Sequence, residues 1–207
     1  MSDTKKFPPS AGIAIGPILF ILALLALIAV VMSSSGGGNF QVASGADRIA
    51  TDITSQANLV RSTINQCNLN YQMAIATGSV TVTSDPYPSS NTSTGTTVSA
   101  LTCGPTGGAS LWGAVMLPQP TQGFNAWTYI DASAAGGGRC IWTTPTGSSP
   151  KSNLSVTSGL TRAASKFNSS TSYSASNEVI YNPASTSQKF VVWITMPTGT
   201  ADSHCLP

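Results

Sequence analysis

Residues 11–32 form an unbroken run of 22 uncharged, mostly aliphatic residues, from Ala11 through Ile18, Leu19, Phe20 and Leu24 to Met32. Wound as a helix, the run extends about 33 Å at about 1.5 Å per residue, which matches a hydrocarbon core of about 30 Å. It predicts a transmembrane helix. Lys5 and Lys6 lie just before it, and the next charges after it are Asp47 and Arg48. The basic flank is amino-terminal, so the expected orientation is N-terminus inside and the remainder periplasmic or extracellular. The competing reading is a secretory signal peptide, whose apolar region runs about 7–15 residues and ends in a small-residue cleavage site. This run is longer, and Val30-Val31-Met32-Ser33-Ser34 does not make an Ala-x-Ala site, so the expectation is a retained anchor. Gly12 and Gly16 stand four apart, a spacing that lets two helices approach closely in lipid, and Pro17 falls near the helix start, where its missing N–H costs little.

The expected organisation is a cytoplasmic leader at 1–10, a transmembrane helix at 11–32, a Ser/Gly-rich linker at 33–45, an amphipathic helix at 46–70 and a β-rich, disulfide-bonded ectodomain at 71–207. The fold class is α+β: a helix packed on an antiparallel β-sheet behind a membrane helix. Ser33 to Gly38 reads as a flexible joint. Beyond it, Ala46, Ile49, Ile53, Ala57, Val60, Ile64 and Cys67 recur at steps of 3, 4, 4, 3, 4 and 3, an apolar stripe at helical spacing. Asp47, Arg48, Asp52, Gln56 and Arg61 stay off it, and Ser44 with Asp47 resembles a capping arrangement. The stripe is expected to pack on the chain's own sheet; its near-heptad spacing also admits packing on a second copy.

From residue 78 the pattern turns to β. Runs at 79–83, 97–102, 111–117, 126–131, 139–144, 153–157, 178–181 and 189–196 are rich in Val, Thr, Ile, Tyr and Trp and bounded by Gly, Pro, Asn and Ser. Residues 190–196 are apolar enough for a central strand. Apolar residues at Leu160, Ala163, Ala164 and Phe167 predict one short helix capped by Ser158. Gly136-Gly137-Gly138 reads as a hairpin turn.

Only 8% of residues are charged and the net charge is +2, against about 25% charged in ordinary soluble domains. No basic stripe exists for nucleic acid. The chain has four cysteines, Cys67, Cys103, Cys140 and Cys205, all beyond the apolar run. An even number in a translocated domain reads as two disulfides, and four cysteines allow three pairings among which sequence does not choose. The pairing we favour joins Cys67 to Cys103, tying the helix end to the sheet, and Cys140 to Cys205, clamping the carboxy-terminal loop. Zinc is disfavoured, since there is no Cys-x-x-Cys and His204 is the single histidine.

No catalytic constellation stands out: there is no Gly-x-Ser-x-Gly, His-Glu-x-x-His or phosphate-binding loop. The expectation is no enzyme and no cofactor. Trp112, Trp127, Trp142 and Trp193 fall inside expected strands, where core packing is the default; a solvent-facing aromatic patch would instead serve a glycan or surface receptor. Asn91, Asn153 and Asn168 begin Asn-x-Ser/Thr triplets.

Taken in order, Lys5-Lys6, the apolar run 11–32, the helix 46–70, the β-rich remainder and Cys140 with Cys205 resemble the type IV pilins and pseudopilins. The resemblance covers most of the chain as architecture. It implies a structural subunit anchored in membrane lipid that forms a homo-oligomer or filament through its amino-terminal helix. It also implies leader cleavage between Gly12 and Ile13, which would place Pro17 at the fifth mature position, where the family carries Glu. The alternative reading is a single-pass anchor displaying a binding or adhesin module, or a virion surface protein.

Overall fold

In the computed structural model, residues 15–35, 37–79, 85–104, 108–113, 117, 119–147, 150–174 and 176–207 are described; along the two amino-terminal helices, side chains are described at 18–28 and from 41 onward. The chain divides into two units, Met1–Val42 and Ala43–Pro207. The first holds helix α1, Ile15–Ser35. Among the described residues no helix is long and apolar enough to cross a membrane. Of the expected span 11–32, residues 11–14 lie outside the described ones, and the side chains described cover only 18–28.

Of the expected linker at 33–45, residues 33–35 and 37–45 are helical instead. Helix α1 runs through Ser35, and helix α2 spans Gly37–Ala76, longer at both ends than the expected 46–70. Glycine costs a helix about 1 kcal/mol per residue, but extending an existing helix adds a hydrogen bond per residue with no nucleation cost. The long stripe-bearing helix therefore carries its poor helix formers, and Ser44 lies inside it rather than capping it.

The stripe itself packs as expected within the second unit. Ala46, Ile53, Ala57, Val60, Ile64 and Cys67 are buried, and Ala50 joins them. Ala50, Ile53, Ala57, Val60 and Ile64 share a core with one face of a six-stranded sheet of order β1-β2-β3-β6-β5-β4. Its strands are β1 Thr96–Thr97, β2 Thr128–Asp131, β3 Arg139–Thr143, β4 Ser169–Ser170, β5 Val179–Tyr181 and β6 Phe190–Thr195. All neighbours are antiparallel except β4 and β5, so the sheet is mixed.

Alternation along each strand divides the core. Tyr129, Ile141, Val179, Tyr181, Phe190 and Val192 face the helices. Their neighbours Ile130, Cys140, Ile180, Val191 and Trp193 face the other way, where Cys205, Leu206, Ala201 and Met196 of the carboxy-terminal segment cover them. A two-residue side-chain period puts these sets on opposite faces. Strand β6 is apolar on both because both are covered.

Residues 153–157, expected as a strand, begin helix α3, Leu154–Ala164. Asn153, not Ser158, caps it: its side chain accepts hydrogen bonds from the backbone N–H groups of Ser155 and Val156 at 3.1 and 3.3 Å. That satisfies donors a first helical turn leaves open. Val156, Gly159, Leu160, Ala163 and Ala164 form its buried face. Gly159 is where α3 crosses α2: a Cβ there would lie 2.8 Å from Ile49 Cβ and 3.0 Å from the Ala46 carbonyl oxygen.

Other expected strands shorten or give way. Of 97–102, Thr97 is the last strand residue and Val98–Ala100 is a 3₁₀ turn. Leu111, Trp112 and Gly113 form a turn, and 114–116 lie outside the described residues, as do 80–83. The Gly136–Gly138 turn is present between β2 and β3, with Gly136 and Gly138 at φ of 74° and 79°.

Candidate functional site

Five places carry enough chemistry or exposed apolar surface to consider. The first is α1. From Ile18 to Ile28 its large side chains are uncovered, with exposures between 44% at Ile28 and 69% at Phe20. Gly16 lies in α1; Gly12 and Ile13 lie outside the described residues, and with them the Gly-x-x-x-Gly pair and the leader junction.

The second is the outer side of α2. Leu59, Leu69 and Met73 are exposed there, at spacings of 10 and 4 that bring them near one side of the helix.

The third is a buried charge cluster beneath the β2–β3 hairpin. Arg139 is 6% exposed. Its guanidinium pairs with Asp85, its Nε lies 3.1 Å from Asp131 Oδ2, and its Cζ stands 4.0 Å above the Tyr87 ring. Ser133 Oγ donates to Asp131, and Ser90 Oγ accepts from the Asp131 N–H at 2.7 Å. Two carboxylates thus offset one buried cation, as a buried charge requires. The Tyr129 hydroxyl beside them is buried without a hydrogen-bond partner. Burial, then the Asp131 carboxylate, pushes its pKa far above the ordinary phenol value. A phenol so placed stays protonated. The cluster braces the 85–90 segment against the hairpin, and it sets no base against a nucleophile.

The fourth is a cleft of about 500 Å³ between α2 and α3, lined by Asp47, Thr51, Thr54, Ser55, Arg162 and Lys166 among others. Arg162 pairs with Asp47 across it.

The fifth surrounds the chain end. Lys189 Nζ donates to the carbonyl oxygens of His204 and Leu206, the latter at 2.9 Å, and lies 5.0 Å from the Trp142 ring centre. Trp142 stacks on His204 with ring centres 6.0 Å apart. His204 Nδ1 is 2.8 Å from Asp202 Oδ1. Burial lowers the Lys189 pKa to about 8, with Asp202 acting in the opposite direction. The His204 ring therefore contacts a carboxylate and an indole, and Cys205 beside it is bonded to Cys140.

Both disulfides follow the favoured pairing: Cys67 with Cys103, Cα atoms 5.6 Å apart, and Cys140 with Cys205, 5.8 Å apart. Both separations lie in the bonded range. Trp112, Trp127 and Trp193 are buried, and Trp142 is the half-buried one under Lys189 and His204. The Asn153 side chain is used as a cap, that of Asn91 accepts from Ser93 N, and Asn168 Nδ2 donates to the Ser176 carbonyl. Among the described residues no group of His, Cys, Asp and Glu could hold a metal ion.

Three residues with defined polar roles escaped the sequence reading: Gln56, Arg139 and Lys189. Gln56 stays off the apolar stripe of α2, yet it is buried. Its spacing of three from Ile53 was the available signal. Arg139 and Lys189 each open an apolar strand, a position where a long cation either marks the rim or turns inward to a partner.

Compared with protein-family models, with curated proteins and with solved structures, the chain matches none.

Proposed function

We propose that this chain is a membrane-anchored, pilin-like structural subunit that assembles into a surface filament or a secretion-type pseudopilus. One observation carries the reading: the large apolar side chains of α1 from Ile18 to Ile28 are exposed among the described residues. Removing each large aliphatic or aromatic side chain from water stabilises by about 1.5–3 kcal/mol. Over the nine large ones here the total is on the order of 10 kcal/mol or more, far too much to leave in water. Lipid tails and sister helices are the two environments that supply it. The apolar run 11–32, wound as one helix, would extend about 33 Å at about 1.5 Å per residue, close to a bilayer core of about 30 Å.

Further features agree. Lys5 and Lys6 favour an inside amino terminus. Four cysteines joined as two disulfides suit an oxidising compartment. Leu59, Leu69 and Met73 on α2 offer a second apolar surface for contact between copies. The buried or covered tryptophans give less support to an aromatic recognition patch than to a structural body.

Electron microscopy of material sheared from cells producing the chain tests the proposal, with mass spectrometry to identify the subunit. Filaments built from it are expected. Recovery of the chain solely as dispersed monomers in the membrane fraction contradicts assembly. The mass of the native amino terminus separates the routes: a start at Ile13 marks leader processing, and an intact leader marks a plain anchor.

A further inference from the structure

The carboxy-terminal cysteine is bracketed. Lys189 Nζ donates to the carbonyl of His204 and to that of Leu206, the residues on either side of Cys205. Two bonds from one nitrogen to positions i−1 and i+1 fix the backbone of the residue between them. Other ties act on the same segment. The Asp202 carboxylate accepts from His204 N at 2.8 Å, Cys205 N donates to the Asp202 carbonyl at 2.9 Å, and Asp202 N donates to the Gly137 carbonyl at 3.3 Å.

The sheet supplies the matching half. Cys140 and Trp142 are two apart on β3 and so share a face. Cys140 meets Cys205, and Trp142 stacks on its neighbour His204. Lys189 immediately precedes Phe190, which pairs with Thr143 of β3. The thiol the tail must find is on β3, and the cation that holds the tail stands just before the adjacent strand β6. The stripe that ends in Cys67 packs against the opposite sheet face.

We infer that Lys189 is a positioning residue for disulfide formation: it docks the reduced tail so that Cys205 faces Cys140 before the bond forms, and thereby selects this pairing from the three that four cysteines allow. The covalent step is ordinary exchange. Two thiols lose two protons and two electrons to a small-molecule disulfide such as oxidised glutathione, which becomes two thiols. Lys189 takes no part in the electron transfer; it raises the local concentration of one thiol near the other. The neutral amine keeps two N–H donors, one for each carbonyl, so docking persists at the mildly alkaline pH where thiolates attack.

The second disulfide in the same molecule is an internal reference. Full-length chain in detergent micelles is equilibrated in glutathione buffers, and the effective concentration of each cysteine pair is read by alkylation and peptide mapping. Lys189→Met is expected to lower that of Cys140–Cys205 at least tenfold, since both hydrogen bonds to the tail are lost, while Cys67–Cys103 changes less than twofold. A smaller loss at Cys140–Cys205, or an equal loss at both pairs, overturns the inference, because a merely structural lysine would move both together. A second measurement leaves Lys189 in place. In Cys140→Ser/Cys205→Ser full-length chain, the amide hydrogens of residues 204–206 should exchange at least tenfold more slowly than in an unstructured peptide. Exchange at the unstructured rate overturns it as well.

Discussion

Gln56 Oε1 accepts a hydrogen bond from Trp127 Nε1 at 2.9 Å, joining the middle of α2 to the residue before β2. The same amide donates through Nε2 to the Gln119 carbonyl at 2.8 Å. Both side chains are buried, so the indole N–H has no access to water as an alternative partner. Gln56→Leu leaves that donor unpaired and is expected to cost about 1–3 kcal/mol. Gln56→Leu with Trp127→Phe removes donor and acceptor together and should recover part of the loss. Thermal unfolding of the full chain in detergent, followed by circular dichroism as a double-mutant cycle, checks the coupling; additive effects contradict it.

The crossing of α2 and α3 tolerates no side chain at Gly159. Gly159→Ala places a methyl 2.8 Å from Ile49 Cβ and Cγ2 and 3.0 Å from a backbone oxygen. Alanine's better helix propensity, worth about 1 kcal/mol, opposes an overpacking cost of about 1–3 kcal/mol. A net lowering of the melting temperature is expected, and Ile49→Ala in the same chain should relieve part of it. A Gly159→Ala chain that melts higher than wild type contradicts the close crossing.

These two sites also show what sequence could and could not reveal. The α2 stripe was legible because burial on one face imposes a 3.6-residue period, and each of its most buried positions was an aliphatic residue or cysteine. Gln56 was not, because an amide looks the same whether it faces water or a buried indole. The start of α3 was misread for a local reason: Leu154-Ser155-Val156-Thr157 alternates like a strand and contains β-branched residues. What decides it is the Asn153 cap together with burial of Val156, Leu160 and Ala163 against α2, a tertiary contact. The helical 37–45 segment has a different origin, for Gly and Ser signal a joint locally but are carried by a helix continuing past them without a new nucleation cost. Strands β3, β5 and β6 were found within a residue or two, since continuous apolar runs bounded by polar ones survive burial on both faces.

The Cys67–Cys103 bond closes a loop with a sequence separation of 36 residues. In the chain-entropy account, a loop of that length contributes roughly 4 kcal/mol by restricting the unfolded chain. Cys67→Ala/Cys103→Ala is expected to lower stability by about 2–5 kcal/mol while the Cys140–Cys205 bond still forms. Peptide mapping and thermal melts check both; unchanged stability contradicts a role for the bond in holding α2 at Cys67, nine residues before its end, to the segment around Cys103.

Alkaline pH should act through Lys189 in a defined direction. Its pKa falls from 10.5 unfolded to about 8 folded, mainly by burial. Between those values the unfolded chain holds the extra proton, so stability rises with pH across the window and is flat with respect to this group on either side. The melting temperature of wild type minus that of Lys189→Met should therefore increase from pH 8 to pH 10. All four cysteines are paired, so thiol exchange does not blur the comparison. A difference that shrinks with rising pH contradicts the burial-driven shift.

The most direct test of the whole account is sedimentation velocity on purified full-length chain as detergent is withdrawn, with and without lipid vesicles. Because the α1 side chains from Ile18 to Ile28 are uncovered, the chain should float with vesicles when they are present and sediment as multi-subunit assemblies when they are absent. A stable, detergent-free monomer that ignores vesicles would contradict it.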